Sequence, residues 1–108
     1  MTKELQSSID RAVQALAAAL KPKQIYLFGS CARGTGKAGS DIDLLVVVDD
    51  GFGDKLSNTS KAYRATRQLP VSKDIIVDHE SVFKKRASWT SSIEREVVET
   101  GKLVYGRS

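Results

Sequence analysis

The chain has 108 residues, 41% of them apolar, with 17 Lys and Arg against 13 Asp and Glu for a formal charge of +4. That length holds one domain, residues 1–108, with a small core, and the mild charge excess suits phosphates or acidic proteins while falling short of a nucleic-acid-binding signature. A lone cysteine, Cys31, excludes an internal disulfide; the apolar run Leu44 to Val48 is too short to span a bilayer, and "MTKELQSSID" lacks the shape of a signal peptide, so a cytoplasmic protein without membrane contact is expected.

Leu5, Ile9, Ala12, Val13, Leu16 and Leu20 recur at helical spacing, with Thr2 available as N-cap and Pro22 just beyond the end, which predicts an amphipathic opening helix. "QIYLF", Gln24 to Phe28, is short, aromatic and β-branched and stops at Gly29, so it reads as a strand. After a glycine-rich stretch comes "DIDLLVVV", a second strand whose end is apolar on both faces and therefore belongs in the centre of a sheet. "DDGFGDKLSN", Asp49 to Asn58, is turn-rich, and its acidic, glycine-rich first half carries no assigned role. A helix follows from about Thr59 to Leu69, ended by Pro70, and then "KDIIV", Lys73 to Val77, as a third strand. A helical turn near Ser81 to Arg86, a helix near Ser91 to Thr100 and a closing strand in "KLVYG" complete a mixed α+β domain without repeats or linkers.

"GTGKAG", Gly34 to Gly39, spells the glycine pattern of a dinucleotide-binding turn. Such a turn works only when the last glycine opens a helix whose N-terminus faces the pyrophosphate. Here "SDIDLLVVV" follows, a strand, so the context fails. A phosphate-loop reading fails too, because Lys37 precedes Ala38 rather than Ser or Thr and Cys31 stands where the first glycine should be. The stretch reads as a connection between two strands, with Lys37 free to touch a phosphate.

Asp41 and Asp43 stand two apart at the start of a strand, so both side chains leave one face, roughly 7 Å apart by the rise per residue. Paired carboxylates on an apolar strand resist burial, and either Arg33 or Lys37 or a divalent cation must offset them. Asp74 opens "DIIV" as Asp41 opens "DIDLL"; were the two strands neighbours in register, three carboxylates would meet at one end of the sheet, an arrangement suited to in-line attack on phosphorus. Asp78 competes for that third place but is read as a helix cap before "ESVF".

Gly29-Ser30, ten intervening residues and Asp41-Ile42-Asp43, with an apolar strand on each side, resemble the signature of the polymerase β-like nucleotidyltransferase superfamily. More narrowly, nearly the whole chain is similar to minimal nucleotidyltransferase (MNT) domains, which occur beside a helical HEPN protein as antitoxin and toxin. The resemblance implies a small mixed β-sheet flanked by helices. It also implies an enzyme that moves AMP from ATP to a hydroxyl, here a tyrosine of a HEPN-family toxin, using two Mg²⁺ ions. By the same resemblance Asp41, Asp43 and Asp74 hold the metals and act in catalysis, while Gly29, Ser30 and Arg33 bind the nucleotide phosphates. Read without the resemblance, Ser30 is a helix N-cap and Arg33 a salt-bridge partner of Asp41.

Cys31 departs from the family pattern and reads as a small packing residue. His79 reads as a surface turn residue, Trp89 as core, and Lys84 to Arg86 as a solvated helix face. Two rivals stand beside the enzyme reading: an antitoxin that neutralises by docking alone, and a transferase acting on a small molecule.

Overall fold

The computed structural model describes residues 2–35 and 41–107. Helix α1, Lys3–Leu20, is capped as expected, with the Thr2 hydroxyl accepting from Leu5 N at 3.0 Å. It ends where Lys21 turns left-handed, φ 46°, just before Pro22. Strand β1, Gln24–Phe28, leads into a single helical turn, α2, Gly29–Ala32. Strand β2, Ile42–Val48, is followed by α3, Lys55–Ala65, and β3, Lys73–His79. Helices α4, Glu80–Ala87, and α5, Ile93–Thr100, precede the last strand β4, Lys102–Gly106.

The sheet order is β3-β2-β1-β4. The expected central strand is β2, which pairs antiparallel with β1 and parallel with β3. Alternation along β2 builds two cores. Leu44, Val46 and Val48 face α1 through Leu5, Ile9, Leu16 and Leu20, and Ala62 of α3; Leu45 and Val47 face Phe83 of α4 and Val97 of α5. Each large aliphatic side chain so enclosed contributes about 1.5–3 kcal/mol. Since β1 runs against β2 while β3 runs with it, the end of β1 and the beginnings of β2 and β3 share one end of the sheet.

Three local expectations give way to tertiary contacts. Helix α3 begins at Lys55 because the Asp54 carboxylate accepts from Ser57 N at 2.8 Å, and it stops at Ala65, well short of Pro70, where the buried Thr66 hydroxyl donates to Ala62 O at 2.9 Å. Ser30 is no N-cap: it lies within α2, and the cap position is Phe28. Nor does Asp78 cap α4; that task falls to Asp50 of the acidic loop, whose carboxylate accepts from Ser81 N at 2.9 Å and is held below the usual range by that bond. The loop "DDGFGD" thereby gains a role as a double capping segment.

Candidate active site

At the shared end of the sheet, Phe28 of β1 pairs with Asp43 of β2, and Asp43 pairs with Asp74 of β3. Gly29 follows with φ 73°, and a Cβ built there would land on Asp43 Oδ2. The left-handed conformation favours glycine, and a side chain there would force the Asp43 carboxylate to move. Ser30 sits half-buried in the first turn of α2, and Arg33 is exposed at its end. The chain's turn at Gly29 therefore brings backbone and a hydroxyl beside the acid on the central strand.

Asp43 and Asp74 are register partners on adjacent parallel strands, about 5 Å apart at the backbone. Both lie on the face that carries Leu45, Val47 and Ile76, toward α4 and α5. Asp41, exposed, immediately precedes β2 with the same parity. Burial pushes the Asp43 carboxyl above the usual range, and the charges of Asp74, Asp41 and Glu96 push it further, while Arg33 offsets them in part. Among the described residues no ion pair reaches Asp41, Asp43 or Asp74, so the Arg33–Asp41 bridge is not formed. Nor do any three acid, histidine or cysteine side chains among them converge tightly enough to grip an ion. What stands there is a group of carboxylates without an ion-pair partner among the described residues, hard oxygen donors chemically suited to a divalent cation bound together with substrate phosphates.

Asp74 is exposed, and the Tyr63 hydroxyl of α3 reaches its Oδ1 at 3.4 Å while accepting from Ile75 N at 2.9 Å. Tyr63 thus caps the open edge of β3 beside the acid.

A model of the nucleotidyltransferase domain matches residues 9–104, a span that includes the turn at Gly29 and the paired acids. This chain belongs to the nucleotidyltransferase domain family. It is 34% identical over 102 residues, 89% of its length and 97% of the relative's, to a "putative protein adenylyltransferase" of Methanocaldococcus jannaschii. A crystal structure of a "putative nucleotidyltransferase" from Sulfolobus solfataricus shares its fold, with a TM-score of 0.63 at 23% identity over 99% of this chain and 90% of that one. A toxin–antitoxin structure with AMP-PNP aligns with a TM-score of 0.58 at 25% identity over 98% of this chain and 75% of that one.

Among the described residues Asp41 leads directly into β2 at Ile42 and no helix opens there to complete a dinucleotide turn; Gly36 to Ser40, with Lys37, lie outside the described residues. Cys31 is fully buried in the α1 core, as a packing residue should be, and its thiol donates to Asp41 O at 3.3 Å. Asp78 stands apart from the site. It is 2% exposed, bonded to Lys55 Nζ at 2.9 Å, and burial with the neighbouring Glu94 raises its pKa to about 6. His79 is a structural bridge rather than a surface turn residue: its Nε2 lies 3.0 Å from Phe52 O and 2.8 Å from Gly53 O. Trp89 is not core; it is 47% exposed under the Arg86 guanidinium. Of Lys84 to Arg86 only the lysines are solvated, since Arg86 pairs with buried Glu94 at 2.9 Å. Tyr63 and Glu96 escaped the sequence reading, for nothing in their local spelling signals which strand their helices cover.

Proposed function

We propose that this nucleotidyltransferase moves AMP from ATP onto a hydroxyl, a tyrosine of a helical HEPN-family toxin, and so acts as an antitoxin. The observation that carries the reading is the registered pair Asp43–Asp74 with Gly29 packed against Asp43. It is supported by the relative named for protein adenylyl transfer and by the neighbour solved as a toxin–antitoxin with AMP-PNP. Asp41, Asp43 and Asp74 are assigned as the ligands of two Mg²⁺ ions. Bound there, the metals would screen the triphosphate and lower the acceptor hydroxyl's pKa.

Gly29 lets the backbone approach the triphosphate, and Ser30 and Arg33 donate to its oxygens, Arg33 from an exposed place beside the acids. Asp74, on the edge strand, faces the side from which an acceptor can arrive and takes the hydroxyl proton as the oxygen attacks the α-phosphorus. The bond to pyrophosphate breaks as the new one forms.

Incubation with labelled ATP, Mg²⁺ and the helical protein encoded beside this chain should label that protein on tyrosine. A partner neutralised without label would sink the catalytic reading in favour of docking alone. Asp41→Asn with Asp43→Asn should abolish transfer with the fold retained.

A further inference from the structure

The strongest unassigned feature is a cavity of about 630 Å³ on the outer side of α3, lined by Thr59, Ser60, Tyr63, Arg64, Arg67 and Lys73. Its lining has no acid, and among the described residues Arg64, Arg67 and Lys73 form no ion pair. Arg64 and Arg67 are exposed. Three cations without an ion-pair partner among the described residues surround one hollow beside the hydroxyls of Thr59, Ser60 and Tyr63, leaving an excess of positive charge.

The hollow is joined to the reaction centre through one side chain. Tyr63 lines it, and the Tyr63 hydroxyl touches Asp74 Oδ1 at 3.4 Å. Across this end of the sheet the order runs Gly29 and Ser30 after β1, Asp43 on β2, Asp74 on β3, then the cationic hollow beyond the edge. The phosphate-binding turn and the hollow therefore flank the acids from opposite sides. A nucleotide bound at Gly29 leaves the far side of Asp74 for the group that is to be modified.

We propose that this hollow is the acceptor subsite, and that it takes an acidic segment of the protein substrate, seating its carboxylates on Arg64, Arg67 and Lys73 so that the target hydroxyl reaches Asp74. The inference rests on the adenylyl-transfer reading above and adds the chemistry of the acceptor. Arginine forks bind carboxylates in two-point fashion, which would fix orientation as well as charge.

The test uses the Arg64→Gln, Arg67→Gln double variant with the partner protein, neutral replacements being chosen so that ATP is not repelled. The KM for the partner should rise about ten-fold or more while the KM for ATP stays within about two-fold, and the Lys, Lys double variant should recover part of the loss. Thermal unfolding is run alongside, and unchanged melting excludes misfolding as the cause. A short poly-glutamate peptide should compete with the partner and not with ATP.

An unchanged partner KM overturns the proposal. A raised KM for ATP alone overturns it too, by giving the hollow to the nucleotide, and competition by a single-stranded RNA oligonucleotide but not by poly-glutamate would assign it to nucleic acid instead. Should the wild-type protein transfer nothing, the adenylyl-transfer reading fails by itself. Calorimetric binding of the partner to wild type and double variant then decides the subsite: weaker binding by the variant supports it, equal binding overturns it.

Discussion

The α-carbon of Gly29 sits so close to the Asp43 carboxylate that a methyl group added there would overlap Asp43 Oδ2 unless that side chain moved. The turn after β1 and the acid on β2 are thereby in direct contact, and the glycine leaves the Asp43 carboxylate the space it occupies.

Gly29→Ala should accordingly fail twice. Its φ of 73° carries a cost of about 1–2 kcal/mol for a residue with a Cβ, and the new methyl would displace Asp43. Gly34→Ala shares the conformational cost, with φ 79°, but meets open space. Thermal melting should show both variants destabilised, with transfer lost in Gly29→Ala and retained in Gly34→Ala.

Asp74→Asn and Asp78→Asn should separate activity from stability. Asp74 is exposed beside Asp43, so its variant should lose AMP transfer by about a hundred-fold or more with little change in melting. Asp78 is buried away from the reaction end and bonded to Lys55, so its variant should retain transfer. Labelled-ATP assays beside melting curves check both.

The Asp78–Glu94 pair makes stability depend on pH in opposite directions. The pKa of Asp78 is raised to about 6 by burial and by Glu94, so its contribution is full below the unfolded value of about 3.9 and is lost as pH rises through about 6. For Glu94, burial acts upward but the neighbouring Asp78 carboxyl and the bond from Arg86 bring it below its ordinary value, so its contribution is present above about 4.3 and lost as pH falls. Asn imitates the protonated form of Asp78. The stability change caused by Asp78→Asn should therefore become more favourable between pH 5 and pH 8, by on the order of 1–2 kcal/mol in urea titrations. A pH-independent change would refute the raised pKa of Asp78.

Cys31 should resist alkylation in the native protein. Burial raises its thiol pKa, and Asp43 raises it further, so little thiolate forms and reagents cannot reach it. Iodoacetamide should modify it only in denaturant; rapid labelling of the folded chain would show that α2 opens readily.

Most of the helices and strands were legible because their signals are short-range. The Leu5 to Leu20 spacing, the Thr2 cap and the Val-rich end of β2 act within a few residues of themselves, and each element stands where the spelling placed it. The ten-residue interval from Gly29-Ser30 to Asp41 and Asp43 was likewise readable, as was the strand opened by Asp74. Whether Asp74 would lie beside Asp43 was not, since a parallel pairing depends on how α3 carries the chain back across the sheet. The same applies to Asp78, read as a local cap but held by Lys55 from α3, and to Trp89, whose apolar ring implied core although it lies half exposed beneath Arg86. Tyr63 gained its place beside Asp74 only when α3 closed over the edge of β3. Local chemistry chose the elements and supplied the acids; long-range packing chose which acids meet, because contact between distant residues is set by strand order and register, which no local stretch encodes.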